Sequence, residues 1–472
     1  MSRHSVVGVQ MKLEQVGYTD PMHYVASRPL SLLESTIAVY RNPFSMFPKE
    51  AYEQPVYEAK LLGGQTIVVS DPDIIEHVLI KNAANYPHSK FRQTIMAQIL
   101  GKDGIVVSEG EQWARYRKMF AAAFTPKAVA RHAGSMRDIS LEFCARIRDA
   151  SLRSEDGTID LAQLIDFLTF KVMSSILFSD DLDSTMPVIL KHGRSAFDTI
   201  AKVDPFDLLA LPNWIPRLTK LPGLRSTMFF ENLINRTITR RKQRLKKRPD
   251  KAPQDLLTLM LQAEGMTHKE VRDNVMSFIA AGFETTSSAL LWSVLLLSRS
   301  PHAQARIQEE VDRVLDVNTD PETWLASLPY TRAVFEESMR MFPPVVTLQR
   351  EAIVEETVKG VTLRPGVAIR MSPFIVHRNA TNFDNPSTFI PERFLPENRG
   401  SIKRCQFMPF GAGARSCLGG HFAMMEGVIA LAILTKTFAF EQTDNSEPVP
   451  LQRFSARPID GVPIRATPRS PQ

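Results

Sequence analysis

The chain has 472 residues, of which 44% are hydrophobic and 23% charged, with 32 prolines, 22 glycines and a formal net charge of +6. This composition is ordinary for a globular protein and indicates neither a disordered nor a repeat architecture. The three cysteines, Cys144, Cys405 and Cys417, show no CxxC spacing, which excludes a disulfide framework, an iron–sulfur cluster and a four-cysteine zinc site. So few cysteines fit a reducing compartment, and we expect a cytoplasmic protein.

The N-terminal segment and the basic clusters point to no membrane anchor and no nucleic-acid partner. Residues 1–30 contain charged residues and no apolar run long enough for a signal sequence, so we expect no anchor there. We also expect this segment to be loosely ordered. The densest basic cluster, RRKQRLKKR at Arg240–Arg248, extends a helical pattern and precedes a proline. We interpret it as a solvated helix C-terminus, where the helix dipole favours cations, because no aromatic residues interleave it.

The first part of the chain changes from a short β pattern to a long run of helical patterns. Two short strands are predicted around Gly63–Gly64, followed by a helix that starts at Asp71–Pro72. From about residue 72 to 342 nearly all apolar spacings are helical. Within that region one helix begins at Ser300–Pro301, and another ends before Pro343–Pro344.

The last part of the chain mixes strands, coil and one long helix. The segment EETVKGVTLRPGVAIRMS predicts a hairpin around Arg364–Gly366, and prolines punctuate a coil over residues 384–400. A helix follows Cys417, and residues 461–469 predict a closing strand. We therefore predict a single, mainly α-helical domain over residues 1–472, with a minor antiparallel β region built from both ends of the chain.

The longest apolar segment of the chain predicts a buried helix. Thr267 and Glu270 have the spacing of a capping box, which starts a helix from about residue 268 to 298. Residues 275–298 are apolar enough to span a membrane, but Glu284 would lie uncompensated at the centre of the bilayer. We therefore favour a core helix over a transmembrane one.

Three residues in the middle of this helix form a distinctive face. Ala281 and Thr285 are four residues apart and share one side of the helix, beside the notch left by Gly282. A small residue, a notch and a hydroxyl group therefore face the same space. Taken alone, the pattern favours a core helix in which the Thr285 hydroxyl group bonds its own backbone.

Cys417 lies in the glycine-rich segment FGAGARSCLGG, residues 410–420, just before an apolar helix. A thiol at a helix N-terminus meets unpaired N–H groups and the positive end of the dipole, which favour the thiolate. The glycines let the backbone pass close to a flat or bulky group, and Arg415 adds a positive charge. A metal ligand and a structural turn with a buried cysteine both fit this pattern. A nucleophile paired with His421 also fits, but it lacks an orienting acid.

Several segments together resemble the motifs of the cytochrome P-450 family. The haem-binding signature F-x-x-G-x-R-x-C-x-G is matched by Phe410, Gly413, Arg415, Cys417 and Gly419. The segment AAGFETTSS is similar to the family's oxygen-site motif, at Ala281, Gly282, Glu284, Thr285 and Thr286. The family's ExxR motif is matched by Glu337 and Arg340, with Arg393 in PERF as the third member.

The resemblance implies the cytochrome P-450 fold, with haem b between the long central helix and the helix after Cys417. In that family the cysteine thiolate is the axial ligand of the haem iron, and Arg415 would pair with a haem propionate. Glu337, Arg340 and Arg393 would form a buried network that holds the cysteine loop. Further haem contacts are implied for His88, Trp113, Arg117, Ala281 and Arg350.

The implied activity is that of a haem-thiolate monooxygenase. Such an enzyme inserts one oxygen atom from dioxygen into a lipophilic substrate, with Thr285 donating a hydrogen bond and Glu284 supplying protons. Val106 and Ala281 would line the substrate pocket, and the apolar segment 204–218 would cover it. These apolar segments favour a fatty acid, a terpenoid or a steroid as the substrate.

The resemblance also implies a separate electron donor, because the chain contains no flavin, NAD or iron–sulfur motif. We expect a ferredoxin or flavodoxin with its reductase to bind a basic surface formed by Arg115, Lys118, Lys403 and Arg404. The protein itself is expected to be a monomer. Two other classes remain open at this point: a haem-thiolate sensor without turnover, and a hydrolase with Cys417 as its nucleophile.

Overall fold

Helices form most of the fold. The computed structural model describes residues 17–61, 64–190, 221–315, 319–444, 446–459 and 461–469. In this part of the chain the α-helices are α1 (Leu32–Arg41), α2 (Pro72–Glu76), α3 (Lys90–Leu100), α4 (Gly110–Ala121), α5 (Pro126–Ala130), α6 (Ala133–Arg153), α7 (Leu161–Phe178), α8 (Met186–Val188), α9 (Leu221–Lys247), α10 (Leu256–Gln262), α11 (His268–Ser298), α12 (Pro301–Val314), α13 (Trp324–Ser327), α14 (Pro329–Met341), α15 (Pro373–Val376), α16 (Pro396–Arg399) and α17 (Gly420–Thr437). A π-helical turn, His77–Lys81, continues α2, and short 3₁₀ helices span Pro43–Met46, Lys49–Tyr52, Ala83–Asn85, Ala122–Phe124, Asp183–Thr185, Pro249–Lys251, Pro321–Thr323, Pro391–Phe394 and Gly413–Arg415.

The strands form small sheets that join distant parts of the chain. They are β1 (Val56–Leu61), β2 (Gly64–Val69), β3 (Thr158–Asp160), β4 (Leu348–Glu351), β5 (Glu356–Val358), β6 (Val361–Leu363), β7 (Ala368–Met371), β8 (Phe438–Gln442), β9 (Pro450–Gln452), β10 (Ala456–Pro458) and β11 (Pro463–Pro468). A four-stranded sheet has the order β1-β2-β7-β4, and a three-stranded sheet has the order β3-β11-β8. β5 pairs with β6 and β9 with β10. The pairing of β2 with β7 is parallel, and the other pairs are antiparallel.

Most element boundaries agree with the sequence analysis. The two strands at residues 56–69 are confirmed, and Asp71 caps α2 by accepting hydrogen bonds from two backbone N–H groups. Thr267 and Glu270 form the predicted capping box of α11. Most of the basic side chains at the end of α9 are exposed, but Lys242 is half-buried and Arg241 is fully buried against two carboxylates.

The predicted hairpin around Arg364–Gly366 is wrong. The hairpin consists of β5 and β6 instead, with Glu356 opposite Leu363. It turns at Lys359 and Gly360, whose φ angles are +50° and +80°, and two such residues in succession make the two-residue turn that suits twisted strands. The Arg364–Gly366 turn leads into β7, which pairs with β2 and β4 in another sheet.

Two helices are long and apolar enough to cross a membrane. They are α7 and α11, with mean hydropathies of 1.5 and 1.3 in their most apolar windows. Within the structure 67% and 83% of those windows are buried. The core helices of globular proteins have the same length and composition, and α11 packs along α7, α14 and α17.

Two glycines, which carry no side chain, allow α11 and α17 to approach neighbouring helices closely. A β-carbon at Gly282 of α11 would lie 3.1 Å from Met173 Cγ on α7. At Gly427 of α17 it would lie 2.2 Å from the ring of Phe335 on α14. Gly282 therefore serves the packing of two helices, in addition to the notch that we expected beside Ala281.

A buried ion pair anchors the segment that leads to the cysteine loop. Arg340 and Glu337 of α14 are both fully buried and hydrogen-bond in a bidentate manner at 2.6 and 2.8 Å. Arg393 approaches the same carboxylate at 3.5 Å. Arg340 also donates to three backbone carbonyl oxygens between residues 377 and 388. These bonds offset the cost of burying the charges, and they hold the backbone of residues 377–388, which precede the cysteine loop.

His377 connects this network to the cysteine loop. Its Nε2 accepts a hydrogen bond from the Met408 N–H at 2.9 Å, and its Nδ1 lies 3.3 Å from the Arg340 carbonyl oxygen. Burial lowers the pKa of His377 to about 3, so the ring is neutral at physiological pH and can accept at Nε2. The ring therefore links the end of α14 to the backbone just before the loop through one contact on each side.

Glu426 on α17 yields a prediction about the pH dependence of stability. It is buried, and neither of its carboxyl oxygens has a hydrogen-bond partner among the described residues. Burial raises its pKa well above 4.5. The folded state keeps a proton that the unfolded state releases at neutral pH. The free energy of unfolding therefore falls as the pH rises above the pKa of Glu426 in the unfolded state, by up to about 1.4 kcal/mol per pH unit.

We therefore expect Glu426→Gln to stabilise the protein more at about pH 8 than at about pH 5, because the amide carries no such penalty. The measurement is the free energy of unfolding in urea at both pH values, with Glu441→Gln as the control, since that side chain is 69% exposed. An effect of Glu426→Gln that is the same at both pH values would contradict the prediction.

Candidate functional site

Cys417 closes a tight loop that starts at Phe410. The Cys417 N–H donates a hydrogen bond to the Phe410 carbonyl oxygen at 2.8 Å, which folds residues 410–417 back on themselves. Gly413 is required there, because its φ is +72° and a β-carbon would lie 2.0 Å from the Leu79 carbonyl oxygen. The loop backbone thus packs against the turn after α2, and the Cys417 side chain lines an internal cavity.

Cys417 is exposed to this cavity, although protein atoms surround the thiol closely enough for burial to affect its pKa. Burial raises the pKa of the thiol, while a hydrogen bond from the Gly419 N–H and the positive charge of Arg117 act in the opposite direction. The sequence favoured a thiolate at this helix N-terminus, but burial is the larger effect for the sulfur alone. His421 is exposed, and no hydrogen bond in the described chain joins it to the sulfur.

Three arginines line the same cavity as Cys417. The guanidinium groups of Arg117 of α4 and Arg350 of β4 donate to backbone carbonyl oxygens at 2.8 and 2.9 Å, respectively. The guanidinium of Arg415 stacks on the Trp113 ring, with 4.0 Å between its central carbon and the ring centroid. Within the described residues Arg117 has no carboxylate partner, so this side of the cavity carries positive charge that is available to a ligand.

Glu109 joins two of the predicted cofactor-binding residues. One carboxylate oxygen lies 2.5 Å from His88 Nδ1, and the other accepts a hydrogen bond from Arg415. Burial acts to raise the pKa of Glu109, but the hydrogen bond with His88 and the charges of Arg415 and Arg350 outweigh it, so the pKa lies below its ordinary value. His88, Arg415 and Arg350 therefore stabilise negative charge at this position.

The α11 face that we predicted from the sequence also lines the cavity. Ala281, Gly282 and Thr285 are all among its lining residues. The Thr285 Oγ1 donates a hydrogen bond to the Ala281 carbonyl oxygen at 2.7 Å. Its lone pairs therefore remain available on the cavity side, whereas its proton is engaged with the backbone.

The carboxylate of Glu284 lies away from the cavity. It accepts a hydrogen bond from Ser455 Oγ at 3.0 Å and lies 3.6 Å from Arg457 Nε. Arg457 also pairs with Asp166 of α7 at 2.7 Å, and Ser287 hydrogen-bonds the same carboxylate. Consecutive helix residues differ by about 100° in direction, so Glu284 can lie away from the cavity while Thr285 lines it.

Cavity residues from several elements surround the sulfur. The cavity has a volume of about 320 Å³. The sequence-predicted residues His88, Trp113, Arg350, Phe410, Arg415 and Gly419 line it with Cys417, as does Val106. Gly413 is not part of the lining and instead packs against the backbone of Leu79. The segment 204–218, which we predicted to cover the substrate, lies outside the described residues.

The donor set of this cavity fits a haem group. One thiol, that of Cys417, lies in the cavity lining, apolar side chains such as Leu348 and Phe410 form much of the rest, and three arginines are also part of the lining. A planar apolar macrocycle with one metal and two carboxylates has matching requirements. No cluster of three or more His, Cys, Asp or Glu side chains in the described chain could hold a metal by itself.

Four residues of this region were missed by the sequence analysis. Glu109 lies shortly before Trp113 and Arg117, and His377 lies between the ExxR and PERF motifs, so their positions in the sequence were the available signal. Arg457 and Ser455 lie in a short strand region far from any motif. Their role depends on tertiary packing that no local pattern predicts.

Gly413 in the loop and Gly419 just after it give a matched test of the loop geometry. We expect Gly413→Ala to lower the free energy of unfolding by at least about 2 kcal/mol, because of its positive φ and its contact with Leu79. Gly419→Ala should change it by less than about 1 kcal/mol, since φ is −85° and the new β-carbon would lie 3.9 Å from Phe124. Urea unfolding measures both values, and equal effects of the two substitutions would refute the loop geometry.

Comparisons with known proteins identify the family of this chain. The sequence profile of the family described as Cytochrome P-450 matches residues 29–462. Cyclooctatin synthase of Streptomyces melanosporofaciens is 28% identical over 468 residues, which cover 95% of this chain and 93% of that protein. Pentalenene oxygenase of Streptomyces avermitilis is 29% identical over 386 residues, which cover 79% and 82%.

A solved structure shows the same fold. The haem domain of cytochrome P-450DA superposes with a TM-score of 0.74 at 22% sequence identity and covers 88% of this chain and 89% of its own. The mainly helical fold with small sheets, expected from the sequence, is thereby confirmed. Because the family profile matches most of the chain, this protein belongs to the cytochrome P-450 family of haem-dependent monooxygenases.

Proposed function

We propose that this enzyme would hold haem b through the Cys417 sulfur and that it inserts one atom of dioxygen into a lipophilic substrate. The observation that carries the proposal is the position of the Cys417 sulfur, in the lining of a cavity that Ala281 and Thr285 of α11 also line. The arginines along the same cavity support it further, because haem brings two carboxylates that need positive partners.

Bound haem would supply the site at which dioxygen is reduced with two electrons from the external donor and two protons. One oxygen atom would go to the substrate and the other to water. The residues of the chain hold the group and control the protons. The Gly419 N–H and Arg117 stabilise negative charge on the Cys417 sulfur. Arg117, Arg350 and Arg415 would bind the haem carboxylates, with Arg415 exchanging its bond to Glu109 for one to the cofactor.

Thr285 and Glu284 are proposed to control proton delivery, each from its own side of α11. The Thr285 oxygen can accept a hydrogen bond from a water molecule in the cavity while its own O–H group keeps donating to the Ala281 carbonyl oxygen. To pass a proton to the cavity, Glu284 must rotate away from Ser455 and Arg457. The ion pair of Arg457 with Asp166 would hold the arginine in place during that rotation.

We propose a ferredoxin or flavodoxin, with its reductase, as the electron donor. Lys118 of α4 and Lys403 before the cysteine loop are exposed. Arg115 and Arg404 of the same predicted surface are exposed as well, although each pairs with a carboxylate. An acidic partner would be attracted to this surface, and its association would weaken with added salt.

The remaining proposals concern organisation and location. We propose one domain over residues 1–472 that acts as a cytoplasmic monomer. The parallel pairing of β2 with β7 and the pairing of β11 with β3 support one folding unit, since they join segments that are distant in the sequence. The low cysteine content supports a reducing compartment.

A cysteine hydrolase is the less favoured alternative. Its nucleophile would need a lowered pKa and a nearby base, whereas burial raises the pKa of the Cys417 thiol and His421 is exposed. A sensor without turnover would have no use for the hydroxyl group of Thr285 in the cavity. Both alternatives therefore explain less of the site than a monooxygenase does.

Thr285 provides the test of the proposed function. We expect Thr285→Ala to lower the yield of product per electron consumed by about tenfold or more and to raise peroxide release, because the hydroxyl group orients the proton donor. Thr285→Ser should retain most of the coupling. The measurement uses a lipophilic probe that shifts the spin state, a surrogate ferredoxin with its reductase, and isotopically labelled dioxygen.

In this experiment the product should contain one labelled oxygen atom. Equal coupling in the wild type and Thr285→Ala would overturn the role of Thr285. Product oxygen that derives from water would overturn the monooxygenase reaction itself.

A further inference from the structure

A second cavity adjoins the one that contains Cys417. It has a volume of about 470 Å³ and shares Val106, Ala281 and Thr285 with the first cavity. From α11 it extends between α1 and the four-stranded sheet, and aromatic residues such as Phe44 and Phe374 line it. A lipophilic molecule that reaches Thr285 would therefore have space for the rest of its body here.

One face of the four-stranded sheet places a polar patch in this cavity. Along β7, Ile369 and Met371 are buried in the hydrophobic core, and Arg370 alternates to the opposite face. The cross-strand neighbour of Arg370 on β4 is Gln349, and Thr66 of β2 lies opposite Ala368. Arg370, Gln349 and Thr66 all line the cavity, so their polar groups lie on one face of the sheet.

The guanidinium of Arg370 has no partner in the part of the chain that the structure describes. It forms no hydrogen bond or ion pair there, and its Nε is buried. Burial lowers the pKa of Arg370 to about 10, which leaves it protonated at physiological pH. No aspartate or glutamate among the described residues lines the cavity to balance this charge.

Arginines that are fully buried in the described part of the chain are compensated. Arg241, Arg340 and Arg378 are fully buried, and each pairs with a carboxylate at 2.9 Å or less. A buried charge without a partner is costly and is kept where a ligand supplies the counter-charge. Arg453 also lines the cavity, but it donates to two backbone carbonyl oxygens, at 3.0 and 3.2 Å.

We propose that Arg370 binds the carboxylate of the substrate, which is therefore a lipophilic acid. This inference rests on the proposed function, because it names the substrate class of the same site. The guanidinium offers two parallel N–H groups to a carboxylate, and the Gln349 amide and the Thr66 hydroxyl group add donors on the same face. With the acid group held at the sheet, the apolar body points along the cavity towards Thr285, so oxidation occurs away from the carboxylate.

The test compares myristate with methyl myristate, which differ in charge but hardly in shape. We expect the wild-type holoenzyme to bind the acid about ten- to a hundredfold more tightly than the ester, as is typical of a buried charge-assisted bond. Arg370→Met should remove this preference, and Arg370→Lys should keep part of it. Isothermal calorimetry gives the dissociation constants, and the low-to-high spin shift reports binding near the iron.

The control variant is Arg364→Met. Arg364 is exposed and pairs with Glu355 at the surface, so its replacement should leave the preference for the acid unchanged. The inference is overturned if the wild type shows no preference for the acid, or if Arg370→Met keeps that preference while retaining the wild-type melting temperature.

Calorimetry separates this inference from the proposed function, since it detects binding without a haem signal. A preference for the acid that depends on Arg370, in a protein without thiolate-ligated haem, would support the carboxylate site and refute the monooxygenase. Thiolate-ligated haem without a preference for the acid would refute only the carboxylate site.

Discussion

The position of the Cys417 sulfur depends on one backbone constraint, the tight loop between Phe410 and Cys417. The loop closes through a single N–H to carbonyl hydrogen bond and packs against Leu79 so closely that Gly413 cannot carry a side chain. His377 holds the start of the loop, and the buried pair of Glu337 and Arg340 holds the backbone around His377. A rigid scaffold of this kind sets the direction of the sulfur before any cofactor binds.

Two groups of arginines in the described chain differ in whether they pair with a carboxylate. The first group, which pairs, belongs to the scaffold, and the second, which does not, lines the cavities. In the scaffold, carboxylates and arginines neutralise each other, as Glu337 and Arg340 do. Along the cavities, Arg117 and Arg370 lack carboxylate partners among the described residues, and we assign them to groups that arrive with the cofactor and the substrate. Glu109 lies between these cases, because it pairs with Arg415 in a place where a haem carboxylate would compete.

Local signals predicted much of the fold and the centre of the site. The caps of α2 and α11 were correct because capping involves residues a few positions apart, and the cysteine signature lies within ten residues. The hairpin at Arg364–Gly366 was misplaced, since a turn pattern does not reveal which strands will pair. The direction of Glu284 and the isolation of Arg370 also escaped prediction, because both depend on elements far away in the sequence.

The central claim is that the Cys417 sulfur ligates haem iron, and the carbon monoxide difference spectrum of the reduced protein tests it most directly. Wild type and Cys417→Ala would be compared at equal protein concentration. Thiolate ligation predicts a strongly red-shifted Soret band in the wild type and its absence in the variant. An unshifted band in the wild type, or a red-shifted band that survives in Cys417→Ala, would contradict the account.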